Sequence, residues 1–235
     1  EVIEAIRKKA EYSKDGFWKI YCRLRNEGHQ WNHKRVYRVY KLMNLNYRRK
    51  LKRRLPSRVK EALFTPNNKN ISWSMDFVSD VLTNGRRFRV LNIIDDFNRE
   101  IIAMEVGTSM PAERVLRVLE KVIWCTGKPE NIRVDNGPEF IADVFKNWCN
   151  GNGITIKYIQ PGKPTQNSFI ERFNGSYRRG VLDAYLFDNL NQVRELTENW
   201  MNDYNESRPH ESLGDISPKA YFEKMKTVTE IKEVI

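Results

Sequence analysis

Three carboxylates, Asp76, Asp135 and Glu171, sit where an acid needs a reason. Asp76 falls in a run where Trp73, Met75 and Phe77 alternate with Ser74, Asp76 and Val78, the period of a β-strand. A lone carboxylate among apolar neighbours is expensive to bury. Asp135 closes the apolar run 132–134 and precedes Asn136-Gly137, and Glu171 lies early in a helix predicted over 167–184. Fifty-eight residues separate the first pair and thirty-five the second. Metal coordination is one reason for such acids. Mg²⁺ takes oxygen ligands, typically one or two carboxylates plus substrate phosphates. Two such ions can activate a nucleophile and stabilise the leaving oxygen of a phosphodiester. Asp135 also stands at a strand's carboxyl end, where open α/β sheets place ligands. A plainer reading stays open: Asp-Asn-Gly is a common turn, and Glu171-Arg172 fits a solvated helix face. Asp95 and Asp96, also near a strand end, are alternative ligands.

The surrounding pattern supplies a frame for these acids. Asn84-Gly85 is a hairpin signal. Residues 88–95 and 101–106 give two more strands, completing an antiparallel meander. A helix over 112–125, a buried strand at 132–134, a helix over 140–150 and a strand at 154–159 follow, then a Gly/Pro loop and the helix carrying Glu171. The order βββ-α-β-α-β-α predicts an α/β mixed sheet with helices on both faces. Residues 188–204 form an amphipathic helix with the stripe Leu190, Val193, Leu196, Trp200 and Tyr204, a pattern more often core than interface.

The N-terminal part differs electrostatically. Residues 1–70 hold 20 Lys+Arg and 6 Asp+Glu, a balance of +14, whereas residues 71–235 hold 21 and 24, a balance of −3. Such a basic segment points to a polyanion, commonly nucleic acid. A short helix over 2–13 precedes two amphipathic helices. Residues 16–28 carry Phe17, Ile20, Tyr21 and Leu24 on one stripe and stop at Gly28. Residues 33–44, with Asn32 as N-cap, carry Val36, Val39, Tyr40 and Met43. Lys34, Arg35, Arg38 and Lys41 fall off that second stripe, so the pair reads as a small all-α helix-turn-helix. Arg48, Arg49, Lys50, Lys52, Arg53 and Arg54 follow as candidate phosphate contacts. The expected organisation is a basic helix-turn-helix region 1–55, a linker 56–70, a catalytic core 71–187 and a C-terminal helical extension 188–235.

Several classes drop out. No apolar run approaches the roughly 18 residues of a membrane span, and residues 1–12 lack the apolar segment of a signal peptide. The first residue is Glu, as expected for a fragment or processed chain. Cys22, Cys125 and Cys149 are scattered, which argues against a disulfide scaffold and suggests a reducing compartment. His29, His33 and His210 lack zinc-ligand spacing. Neither a nucleophile-elbow nor a P-loop motif is present.

Asp135-Asn136-Gly137-Pro138-Glu139-Phe140, followed by Gln160-Pro161-Gly162-Lys163-Pro164-Thr165-Gln166-Asn167-Ser168-Phe169-Ile170-Glu171-Arg172-Phe173-Asn174-Gly175, resembles the catalytic signature of bacterial insertion-sequence transposases of the OrfB type, with a retroviral-integrase-like core. The thirty-five-residue gap matches, as does Arg178, seven residues after Glu171. Tyr204-Asn205, Arg208-Pro209-His210, Ser212-Leu213-Gly214, Ser217-Pro218 and Phe222 resemble the family's C-terminal signature, and residues 16–45 its helix-turn-helix. The resemblance implies an RNase H-like fold and a DDE site of Asp76, Asp135 and Glu171 holding two Mg²⁺, with Mn²⁺ substituting. It implies metal-dependent cleavage and strand transfer at insertion-sequence ends. Double-stranded DNA, at transposon ends and target, is then the partner. A homo-oligomer on DNA and an upstream-frame helix-turn-helix/zipper protein are further expected partners, in the bacterial cytoplasm at the nucleoid. Asp95 and Asp96 do not match its catalytic positions. Arg178, Lys163 and Gln166 are expected to contact DNA near the site. Two other classes remain: a DNA-binding factor derived from a transposase with a silent core, and a structure-selective nuclease.

Overall fold

The computed structural model describes residues 1–12, 15–46, 65–160 and 167–234. The chain divides into two compact units, Glu61–Asn205 and Glu1–Lys60 with Glu206–Ile235. Among the described residues no helix is long and apolar enough to cross a membrane.

The larger unit is built on β1 (Ser72–Val81), β2 (Arg87–Asp95), β3 (Ile101–Gly107), β4 (Asn131–Val134) and β5 (Thr155–Tyr158). They form one sheet in the order β3-β2-β1-β4-β5. The first three strands pair antiparallel, and β1–β4 and β4–β5 pair parallel. The β1–β2 turn holds Gly85 at φ +79°, a conformation that Asn-Gly turns supply cheaply. Alternation along β1 sorts side chains onto two cores. Trp73 and Met75 join Leu91, Ile93, α4 (Ala112–Thr126) and α6 (Asp143–Gly151); Val78 joins Phe88, Val90, Ile94, α7 (Ser168–Tyr177) and α8 (Leu190–Glu206). The result is the mixed sheet, covered by helices on both faces, that the order of elements predicts.

Two helices depart from expectation. The single helix over 140–150 is two: α5 (Pro138–Ile141) and α6, separated by Ala142 in an extended conformation at ψ 138°. Phe140 and Phe145 are both fully buried, their rings 5.6 Å apart. Positions five apart point about 140° away from each other on a continuous helix, so the break lets both enter one core. After α7 the chain widens into a π-helical segment, Arg178–Leu182. The extra residue in that turn lets Tyr177, Val181 and Leu182 all be buried.

The stripe of α8 faces the core: Val193 and Tyr204 are buried in the second cluster, and Leu190, Leu196 and Trp200 are partly buried against it. This unit therefore runs to Asn205, past the expected boundary at 187. Asn205 accepts from the Ile101 N–H at 2.8 Å and donates to the Ile101 carbonyl at 2.9 Å, so one amide pairs with the edge of β3 as a strand would.

In the smaller unit, α1 (Val2–Tyr12), α2 (Phe17–Asn26) and α3 (His33–Leu42) bury Val2, Ile6, Ile20, Leu24, Val36 and Tyr40 together. Asn32 caps α3, its side chain accepting from the Lys34 N–H at 2.9 Å. Asp15 is buried between Arg23 and Arg208, each at 3.0 Å. A final helix, α9, covers Pro218–Val234.

Candidate active site

Asp76 is delivered by β1, in register with Asn92 of β2. Its Oδ1 accepts the Phe77 N–H at 2.7 Å and its Oδ2 accepts from Asn174 Nδ2 of α7 at 2.7 Å. Asn174 Oδ1 accepts in turn from Asn92 Nδ2 at 2.8 Å. Asn92 is fully buried, and among the described residues its Oδ1 has no partner. An amide chain thus reaches from the sheet through α7 to one carboxylate. Asp135 follows β4 directly and is exposed. Its Oδ1 accepts the Gly137 N–H at 3.0 Å, an Asx turn, so the local geometry is the turn that Asp-Asn-Gly favours. Glu171 is exposed in the first turn of α7, three residues before Asn174 and therefore its neighbour on the helix surface.

Electrostatics ties the three together. Burial, the largest cause, and the nearby charges of Asp135 and Glu171 together raise the Asp76 carboxyl to about 6, against the opposing hydrogen bonds from the Phe77 N–H and Asn174. Acids from β1, from the end of β4 and from α7 therefore share one neighbourhood. Among the described residues no group of three or more His, Cys, Asp or Glu side chains is placed to hold a metal ion by itself. The donor chemistry still fits a divalent cation: the donors are all oxygen, and one is desolvated and repelled by the others. Substrate phosphates would complete such a shell. Arg89, which lies 4.0 Å over the Phe77 ring, is paired with Glu139 rather than with any of the three.

Asp95 and Asp96 are engaged elsewhere. Asp95 accepts the N–H groups of Asn70 and Phe97, each at 2.8 Å. Asp96 accepts the hydroxyls of Ser72 at 2.9 Å and Ser74 at 2.6 Å and pairs with Arg133 at 3.0 Å. Both are fully buried and fasten the end of β2 to its neighbours.

Arg178 donates to the Ser79 carbonyl at 2.8 Å and lies 3.5 Å from Asp80 and 3.7 Å from Asp183, with its side chain 42% exposed. Lys34, Arg35 and Arg38 are exposed on α3, and none forms an ion pair among the described residues. Arg48, Arg49, Lys50, Lys52, Arg53, Arg54, Lys163 and Gln166 lie outside the described residues.

Sequence comparison agrees with this architecture. The integrase core domain family matches residues 66–164, and a second integrase core domain family matches residues 152–218. The insertion element IS407 uncharacterized 31.7 kDa protein of Burkholderia multivorans is 39% identical over 209 residues, covering 89% of this chain and 76% of the relative. The chain belongs to the OrfB-type insertion-sequence transposases. The insertion element IS476 uncharacterized 39.2 kDa protein of Xanthomonas euvesicatoria is 37% identical, and the transposase chain spans 90% of itself but only 61% of that relative. Among solved structures, the HTLV-2 integrase catalytic core domain in complex with magnesium, in its trimeric form, superposes with a TM-score of 0.54 at 18% identity, over 68% of this chain and 99% of that one. At that identity the likeness speaks for the fold.

Sequence reasoning gave no role to Asn92 or Asn174 in this transposase. Asn174 lies inside the run 160–175 that carries Glu171. Asn92 announced itself only as an amide in the otherwise apolar run around Ile93 and Ile94, directly across from Asp76.

Proposed function

We propose that this transposase cuts and joins DNA at the ends of its insertion sequence, with Asp76, Asp135 and Glu171 holding two divalent ions, Mg²⁺ or Mn²⁺. The observation that carries the reading is the placement of a half-buried Asp76 on β1, with Asp135 at the end of its parallel neighbour β4 and Glu171 on α7, whose Asn174 bonds Asp76. Divalent ions bound there would raise the reactivity of the attacking oxygen and neutralise charge on the phosphoryl group. The chain's own part is positional: β1 and the Asn92–Asn174 amide chain fix Asp76, the Asx turn fixes Asp135, and α7 carries Glu171. Water first attacks the phosphodiester at the element's end, and a strand with a free 3′-OH departs. That hydroxyl then attacks a target phosphodiester in line, forming one P–O bond as the target's own 3′ oxygen leaves. Bond energy is conserved, so no nucleotide cofactor is required.

Phosphate contacts from Lys34, Arg35, Arg38 and the basic run 48–54 would carry affinity for duplex DNA. Arg178, Lys163 and Gln166 would act nearer the cut. Arg178 would do so by exchanging its weak 3.5 and 3.7 Å ion pairs for a phosphate. Joining two ends calls for more than one protomer on DNA, with an upstream-frame helix-turn-helix/zipper protein as a further partner at the nucleoid.

The test uses a labelled duplex with a recessed 3′-OH end, a target plasmid, and Mg²⁺, Mn²⁺ or EDTA, with Asp135→Asn as control. Joined product that needs metal and disappears in the control is the expected result. Cleavage without joining would assign a nuclease. Binding without either, even with the upstream protein added, would assign a DNA-binding factor with a silent core.

Gly137 gives a subtler test. A Cβ there would lie 2.9 Å from Asp135 Oδ1, closer than real Cβ contacts allow. Its φ of −61° suits any residue, so the main conflict is with that carboxylate, Glu139 Oε2 lying next at 3.4 Å. Gly137→Ala should lower the joining rate by about ten- to a hundredfold, since small misplacements of reacting groups have effects of that order. The melting temperature should stay within about 2 °C. Full activity in that variant would show that the position of Asp135 is immaterial.

A further inference from the structure

We propose that the groove between α2 and α3 takes an unpaired DNA strand, stacking a base on Trp18 and Tyr37 while Lys34, Arg38 and Lys41 neutralise its phosphates. This rests on the reading of the chain as a DNA-acting protein and adds a second mode of contact to it.

The groove encloses about 750 Å³, in the range of small-molecule sites and large enough for a nucleotide. The fold does not require its aromatic lining. The core stripe of α2 is already complete with Phe17, Ile20, Tyr21 and Leu24, and Trp18 lies beside it, 64% exposed. On α3, Tyr37 is 44% exposed and Leu42 76%. Phe17 meets Trp18 edge-on at 5.2 Å and Tyr37 edge-on at 4.8 Å, so the three rings brace one another. His33 stacks against Trp18 at 6.0 Å.

Charge selects the occupant. Neither α2 nor α3 contains an acid, and the groove's three cations are exposed with no ion pair among the described residues. A partner must therefore be anionic and carry flat apolar faces. Duplex DNA presents phosphates and base edges but keeps its base faces inside the stack. A single strand offers both, and aromatic platforms inside basic grooves bind it with little sequence preference. A duplex with a recessed 3′ end, like the substrate of the joining test, carries such a segment beside its paired part. An apolar helix of another protein would cover Trp18 and Leu42 but would have to bring its own acids.

The experiment measures binding by the full chain in EDTA, so that no cleavage contributes. Fluorescence anisotropy compares an oligo-dT of about 12 nucleotides, a blunt duplex and the same duplex with a frayed end. Trp18→Ala and Tyr37→Ala should each weaken the oligonucleotide and the frayed duplex by about tenfold, with Trp18→Phe retaining most of the affinity. Binding of the blunt duplex should change by less than about twofold. Circular dichroism checks folding, which exposed positions should not disturb. Equal losses on all three ligands would overturn the proposal in favour of duplex reading. No loss on any would also overturn it, and a loss only of self-association in sedimentation would assign the groove to docking between copies of the chain. Because no chemistry is read, failure of strand joining and failure of this proposal are separately visible.

Discussion

Asp76→Asn should yield a protein that neither cuts nor joins DNA yet melts higher than the wild type at pH 7. The gain follows from proton linkage. Asp76 titrates at about 6 in the fold, against about 3.9 in an unfolded chain. Between those values the folded chain holds a proton that the unfolded chain has lost. Stability therefore falls as pH rises through this window, and the deficit persists above it. Its size is on the order of 1–3 kcal/mol, or roughly 3–8 °C in melting temperature. Asparagine removes the charge and can keep the hydrogen bonds. Its oxygen accepts from the Phe77 N–H as Asp76 Oδ1 does. Its NH₂ requires Asn174 and then Asn92 to turn over, which gives the unpartnered Asn92 Oδ1 a donor. Melting curves from pH 4 to 8 should show the two proteins converging near pH 4 and separating above pH 6. Mg²⁺ should raise the wild type and leave the variant unmoved. A variant that is less stable at pH 7, or one that still joins strands, would sink the assignment.

Asp15→Ala should unfold the smaller unit under mild conditions. The Asp15 side chain is 1% exposed, and the arginines at 3.0 Å are themselves 6% and 13% exposed. Removing the carboxylate leaves two buried guanidiniums facing each other, a loss of about 3–5 kcal/mol for a broken buried pair. The site is already hostile to further cations: burial, with Arg208 next in effect, lowers Lys19 to about 8. Burial alone would raise Asp15, but Arg208 and Arg23 hold it below the ordinary carboxylate range. Its contribution is thus present above about pH 4 and lost as pH falls through its folded value, the reverse of Asp76. Urea unfolding followed by proteolysis of residues 1–46 would measure this. A loss under about 1 kcal/mol would mean that the cluster is solvated after all.

Much of this molecule was legible because its periodicities are clean. The alternation through Trp73, Met75 and Phe77 identified β1 and left Asp76 on the other face, where the fold has it. The stripes of α2, α3 and α8 named residues that are now core. Contacts between distant positions were not legible. Nothing local tells that Asn205 mimics a strand against Ile101, or that Arg208 neutralises Asp15, although both lie in a motif that the sequence singled out. The same holds for Asp95 and Asp96, which spacing left as candidate ligands and which hydrogen bonding consumes. The break at Ala142 was hidden because its cause, two phenylalanines bound for one core, exists only after packing.

The route of the chain has a consequence for incomplete copies. Asp76 and Asp135 come from β1 and β4, parallel neighbours, which no tight turn can join. The meander and α4 must be laid down before those two acids meet, and Glu171 arrives later still. Arg208, which Asp15 needs, comes after all three, because the smaller unit draws on both ends of the chain. A polypeptide released early by the ribosome therefore lacks part of the proposed cutting centre, or the Asp15–Arg208 ion pair of the helical unit, or both. On the proposed reading, broken copies of the gene would fall silent rather than nick DNA indiscriminately.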